Sequence, residues 1–199
     1  MAGDSTQGRE SDFFASAFGD HGADPSLLVP WEARAVEVGA KPLASGRGMD
    51  QLIAIWSRDK YMGRITQVDM GGLQKYLEFA TIEADRDVIR QDEFGNFMVV
   101  LLKGAIAVDR MQPWGELIRL AEVRPGDVLG EMSLLDGGTR FSVCTTLVEC
   151  DVAVLRAEAM DEMMKEQPQL AAAMVALLAR KLSMRLRALG GRLSDKQGQ

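Results

Sequence analysis

From Ala80 onward the chain consists of short apolar segments with a period near two. Gly, Pro, Asn or Asp cuts each one off within a few residues. Thr81, Val88, the run Phe97 to Leu102, Ile106, Val108, Leu117 to Leu120, Val128, Val143 to Leu147 and Val152 to Leu155 all read as strands of this kind. Gln112-Pro113-Trp114-Gly115 reads as a turn between two of them. Many short strands with such punctuation predict a barrel or jelly roll.

The flanking segments switch to a helical period. Asp50 to Tyr61 carries Leu52, Ile53, Ile55 and Trp56 as an apolar stripe, with Asp50 as a cap. Met70 to Leu77 predicts a second short helix. After the strands, Ala159, Met160, Met163 and Met164 mark a helix that ends near Pro168. Pro168 fits the first turn of a longer helix. Its stripe of Leu170, Met174, Leu177, Leu178, Leu182, Met184 and Leu186 runs toward Gly190-Gly191, a pair expected to stop it. Such a stripe has to pack on the strands, on a second copy of itself, or on both. The fold class is therefore α+β, with about eight antiparallel strands between N-terminal helices and a long C-terminal helix. The expected division is a flexible N-terminal extension and linker over 1–48, N-terminal helices over 49–79, the strand domain over 80–156, C-terminal helices over 157–190 and a tail over 191–199.

Composition narrows the functional classes. The chain has 199 residues, 47% of them hydrophobic, enough for one domain with extensions. A net charge of −6 argues against nucleic-acid binding over the whole surface. The last helix alone is basic, with Arg180, Lys181, Arg185, Arg187, Arg192 and Lys196 against Asp195. That face is either solvated or a contact for nucleic acid, an acidic partner or a ligand. Cys144 and Cys150 read as lying on two paired strands. With no Cys-x-x-Cys or metal spacing, they are expected to be buried, reduced thiols of a cytoplasmic protein. The polar, acidic N-terminus is not a secretory signal, and no run approaches the ~20 apolar residues of a bilayer span. His21 is the only histidine, and no Gly-x-x-x-x-Gly-Lys loop is present. No catalytic residue, metal ligand or cofactor is predicted, and the chain is not expected to be an enzyme. Phe13, Phe14, Phe18, Leu27, Leu28 and Trp31 interrupt the polar N-terminus. They are either incidental aromatics in a disordered tail or a segment that folds onto a partner.

One run carries chemistry. Leu129-Gly130-Glu131-Met132-Ser133-Leu134-Leu135-Asp136-Gly137-Gly138-Thr139-Arg140 sets a tight glycine turn and a carboxylate one short helix ahead of an arginine. Gly130 lets backbone N–H groups approach an anion closely, and a helix opening there aims its free N–H groups the same way. Arg140 can fork onto phosphate oxygens. Glu131 would repel a phosphate and suits a ribose hydroxyl instead. A sugar hydroxyl and a phosphate held side by side are what this run is equipped for.

The run resembles the phosphate-binding cassette of the cyclic-nucleotide-binding domain family, through Gly130, Glu131, Leu134, Leu135 and Arg140. Leu102 to Val108 is similar to that family's strand-Gly-strand element, and Arg124-Pro125-Gly126-Asp127 to its Pro-Gly-Asp turn. The resemblance covers roughly residues 70–190. It implies a β-roll that wraps a ligand, with Leu129, Gly130, Glu131, Met132, Ser133, Arg140, Phe141, Ser142 and Arg185 around it. Gly130 would lie by the ribose and phosphate, Glu131 would accept the 2′-hydroxyl and Arg140 would bind the phosphate. Four positions depart from the pattern: Leu129 replaces Phe, Thr139 replaces Pro, Asp92 stands at a turn glycine, and Phe141 replaces a small or hydroxyl residue. Ser142 comes one residue late and is expected to point the other way. Counting from Pro168, Arg185 falls at the base-contact position, where it stacks on a purine, bonds a guanine edge or lies on the surface.

The resemblance thus implies a stand-alone regulatory protein that senses cyclic AMP or cyclic GMP. Phe141 also leaves room for a bulkier ligand such as cyclic di-GMP. A homodimer through the helix around 169–189 and an unidentified protein effector are implied. No helix-turn-helix follows Gly190-Gly191, so sequence-specific DNA binding is not expected. The alternatives are a ligand-free dimeric scaffold, in which Glu131 pairs with Arg140, and a nucleic-acid-binding accessory acting through the basic helix.

Overall fold

A computed structural model describes residues 12–22, 24–58 and 70–197. The core is two antiparallel sheets. One has five strands in the order β1 (Lys41–Pro42), β2 (Glu78–Ile82), β9 (Cys150–Arg156), β4 (Phe97–Lys103), β7 (Val128–Leu129). The other has four, in the order β3 (Asp87–Ile89), β8 (Val143–Thr146), β5 (Ile106–Met111), β6 (Leu117–Val123). The helices are α1 (Phe13–Ala17), α2 (Trp31–Val38), α3 (Ser45–Trp56), α4 (Met70–Leu73), α5 (Glu131–Asp136), α6 (Ala157–Glu166) and α7 (Pro168–Gln197). The α+β roll with a long C-terminal helix expected from the sequence is what forms.

β4 and β9 explain the continuous apolar runs. They pair with each other, Val99 opposite Val154 and Val100 opposite Ala153, and both faces of the pair are covered. Phe97, Val99, Leu101, Val152 and Val154 face the second sheet. Met98, Val100, Leu102, Ala153 and Leu155 face a helical layer that includes Leu52, Trp56, Met160, Met163, Leu170, Met174 and Leu178. Strands buried on both sides have no polar face to alternate with. β6 is the opposite case, an edge strand exposed along nearly its whole length.

Several expectations differ from the fold. The described part of the N-terminal extension is helical and packed. Phe14, Phe18, Trp31 and Arg34 are buried, and β1 adds a strand beside β2. α3 begins at Ser45, so Asp50 lies inside it and caps nothing; the expected end at Tyr61 falls outside the described residues. The second helix is split into α4 and a 3₁₀ turn, Gln74–Tyr76. Gly190-Gly191 does not stop α7, whose backbone stays helical to Gln197. Helix hydrogen bonds tolerate glycine at ~1 kcal/mol per residue when no capping contact draws the chain away. Cys144 and Cys150 are free and buried as expected, but β8 and β9 belong to different sheets. Pro168 does open α7.

α1 and the 3₁₀ turn Phe18–His21 form a strap over the end of α5. Asp161 of α6, 3% exposed, accepts the N–H groups of Phe14 and Ala15 at 3.0 and 2.9 Å. His21 Nε2 lies 2.6 Å from the carbonyl oxygen of Asp136. Gly137, at φ +68°, lets the strap backbone approach. A Cβ there would sit 2.3 Å from the carbonyl of Ala17.

Candidate functional site

The Pro-Gly-Asp turn anchors the cassette. Arg124 N–H donates to Asp127 Oδ2 at 3.0 Å, and Gly126 N–H to the Leu101 carbonyl at 2.8 Å. This ties β7 to β4, with Val99 opposite Leu129. The chain then reverses at Gly130, φ +76°, and enters α5 with Glu131 as its first residue. Only a glycine fits this turn. A Cβ would meet Arg140 Nη1 at 2.5 Å and Ile89 Cδ1 at 2.9 Å, in a backbone region that costs other residues ~1–2 kcal/mol.

Arg140 is 3% exposed. Nη1 donates to the Gly130 carbonyl at 2.9 Å and Nη2 to the Phe97 carbonyl at 2.7 Å, and the guanidinium lies 4.6 Å from the Phe97 ring centroid. Its backbone is clamped as well. Arg140 N–H donates to Glu93 at 2.8 Å, and Asp92 N–H to the Arg140 carbonyl at 2.9 Å. Asp92 itself has φ +65°, so the turn there has the left-handed geometry a glycine would supply. Burial pulls the Arg140 pKa down to about 10, with nearby Arg34 acting in the same direction, and the group stays charged at neutral pH. Among the described residues Arg140 has no carboxylate within ion-pair distance. A shallow cleft beside it, lined by Arg34, Arg90, Glu93 and Gly95, is too tight to admit a water molecule.

Glu131 is buried, with its side chain 3% exposed. Its partner is Arg185 of α7, not Arg140: Arg185 Nη1 donates to Glu131 Oε1, and Nη2 to the Val128 carbonyl. The side chain of Arg185 remains 41% exposed. Arg185 thus reaches into the cassette itself.

The other predicted residues divide. Leu129 packs into the core between the sheets. Ser133 is buried and Met132 exposed. Phe141 is half exposed, and Arg110 of β5 lies over its ring at 4.0 Å and donates to its carbonyl. Ser142 Oγ sits 4.0 Å from Cys144 Sγ. Cys144 is within electrostatic reach of Arg140, Glu131 and Arg185, and burial pushes its thiol up to about 12. Sequence reasoning missed Arg110. Its only signal is that it follows Val108 by two positions on a strand and so shares that residue's face.

The local charge balance is one-sided. Arg110, Arg140 and Arg185 surround the cassette, and Glu131 is the one acid ion-paired to any of them among the described residues. In a chain of net charge −6 this is a concentrated positive site, suited to an anion. No group of three His, Cys, Asp or Glu residues that could hold a metal ion is present among the described residues.

Comparison with known proteins agrees with this geometry. Residues 80–167 match the family of the cyclic nucleotide-binding domain. The matched segment runs from β2 through the cassette to the end of α6. A CRP-like cAMP-activated global transcriptional regulator of Mycobacterium tuberculosis is 26% identical over 113 residues, which is 57% of this chain and 50% of that protein. The cyclic AMP receptor protein of Thermus thermophilus is 29% identical over 97 residues, covering 49% of this chain and 45% of that one. The chain spans about half the length of the curated relatives it matches. A cyclic nucleotide-binding domain from Methylobacillus flagellatus KT has the same fold, with a TM-score of 0.71 at 23% identity over 79% of this chain and 88% of that one. The roll thus has a known architecture, and no helix among the described residues is long and apolar enough to cross a membrane.

Proposed function

We propose that this protein is a cyclic-nucleotide sensor, with cyclic AMP as its first candidate ligand, that signals through protein contacts. The observation that carries the reading is Arg140: a charged guanidinium, almost fully buried, bonded to two carbonyls and, among the described residues, with no carboxylate within ion-pair distance. Leaving such a charge without an anion is unfavourable, and a phosphate is a fitting counter-ion. Glu131 would accept a ribose 2′-hydroxyl once Arg185 moves off it. The names of both curated relatives refer to cyclic AMP, which supports the choice of base. Cyclic GMP and cyclic di-GMP follow in that order. Met184 and Leu186, exposed on α7, support dimerisation through the helix around 169–189. The N-terminal strap and the outer half of α7 are the surfaces through which an effector would read the site.

The test is isothermal titration with cyclic AMP, cyclic GMP and cyclic di-GMP, with Arg140→Ala as control. A charged hydrogen bond contributes roughly 1.5–3 kcal/mol, so the variant should bind at least about tenfold more weakly. A second reading has its own observation. Glu131 is already paired with Arg185, and Arg140 with two carbonyls. That closed arrangement is what a ligand-free scaffold of the same fold would show, and no binding of any of the three nucleotides would establish it.

A further inference from the structure

Phe141 directly follows the cassette arginine and offers no side-chain donor. Arg110 on the neighbouring strand stands over it. β5 and β8 pair with Val108 opposite Cys144 and Asp109 opposite Val143, so the ladder brings Arg110 beside the segment that leads out of Arg140. Its guanidinium lies over the Phe141 ring, 4.0 Å from the centroid, and Nη1 donates to the Phe141 carbonyl. This fixes the position of a side chain that would otherwise sample many rotamers.

Arg110 is also unneutralised. The acid next to it, Asp109, points to the other face of β5 and is held by Arg119. Among the described residues Arg110 has no carboxylate partner. Two of the arginines around the cassette, Arg110 and Arg140, thus bring positive charge to adjacent residues with no acid between them. Arg140 is buried with its Nη groups on carbonyls, whereas Arg110 is only partly buried and one of its Nη1 hydrogens is engaged.

We infer that Arg110, held on the Phe141 ring, is a second phosphate-contacting arginine of the nucleotide site and forms its outer wall. This deepens the sensor reading and rests on it. The ligand chemistry it selects is a phosphodiester whose outward oxygen lies near position 141. Phe141 acts by positioning: it supplies no donor of its own but a flat surface that holds the guanidinium in place.

The test is a double-mutant cycle read by isothermal titration with cyclic AMP, cyclic GMP and cyclic di-GMP, at two salt concentrations. Arg110→Gln should weaken binding of the preferred nucleotide about tenfold or more and flatten its salt dependence. Arg110→Lys should recover the salt dependence but only part of the affinity, since an ammonium neither forks nor stacks in the same way. Phe141→Ser adds a hydroxyl beside the phosphate position. In that background Arg110→Gln should lose less than about threefold. Equal circular dichroism and thermal midpoints exclude misfolding. If Arg110→Gln binds within twofold of the parent while Arg140→Ala loses binding, the sensor reading stands and this inference is overturned. The same penalty in both backgrounds also overturns it. A parent protein that binds none of the three nucleotides overturns both.

Discussion

Asp161 offers a direct measure of how firmly the N-terminal strap is attached. α1 has five residues, and its first N–H groups lack intrahelical partners. No local side chain caps it. Asp161 does so instead, from 147 and 146 positions away in the sequence. Asp161→Ala removes both acceptors. A hydrogen bond to a charged group contributes about 1.5–3 kcal/mol, which gives roughly 3–6 kcal/mol for the pair as an upper bound. The two bonds hold the same short strap and do not add in full, so docking should weaken by about 1.5–3 kcal/mol, or roughly 12- to 140-fold in the opening equilibrium. Native-state hydrogen exchange reads this residue by residue. Amides of Phe14 to Phe18 should exchange faster by that factor, while those of β4 and β9 should not change. Asp161→Asn keeps one acceptor and should give about a tenfold effect. Unchanged protection of Phe14 and Ala15 in the alanine variant would refute the reasoning.

Gly137→Ala should displace the same strap from the other side, because the new Cβ meets backbone atoms of Ala17 and Phe18 that cannot rotate away. At least ~1–2 kcal/mol of stability should be lost through the positive φ alone, read as a lower urea midpoint together with faster exchange in the strap. The two thiols make an independent test of burial. Burial pushes Cys144 up to about 12 and raises Cys150 as well. Because the folded state favours the neutral thiols, their contribution to stability is complete below 9.0, the ordinary value of a free thiol, and is lost as pH rises toward 12. Native protein should resist iodoacetamide at mildly alkaline pH while denatured protein labels at both positions; rapid native labelling would contradict the burial.

The sequence was most legible where structure is local. The Pro-Gly-Asp turn, the left-handed Gly130 and the proline start of α7 depend on backbone preferences within a few residues, and each formed where expected. β4 was readable because its apolar run reports burial on both faces. What stayed hidden was set by distant partners. Phe14 and Phe18 look like isolated aromatics until α6 and Phe94 are brought to them by the roll; Phe18 meets the Phe94 ring at 4.9 Å. From the sequence, the partner offered for Glu131 in a ligand-free fold is Arg140. The choice of Arg185 over Arg140 depends on the path of α7 across the cassette, which no spacing in the run 129–140 encodes. Arg110 was invisible for the same reason, since its role comes from β5–β8 register.

Those distant contacts also fix how a ligand could act on the sensor reading. The site is closed by its own side chains: Arg185 holds Glu131, and two carbonyls hold Arg140. A nucleotide would have to replace the first contact outright, so its apparent affinity is reduced by the fraction of molecules with Arg185 released. The position of Arg185 decides what that release can move. The inner part of α7 is fastened by Leu170, Met174, Leu177 and Leu178 in the helical core. Beyond them, Lys181 reaches Asp127 at 3.8 Å, and Arg185 makes the double contact with Glu131 and Val128. Met184 and Leu186 lie in the open. Losing the Arg185 contact therefore frees the outer half of α7 without unpacking the core. The strap touches the opposite end of the same cassette helix through Asp136 and Gly137. A shift of α5 is felt at both places, and the energy available to drive either one is bounded by the difference in ligand affinity between the closed and open states.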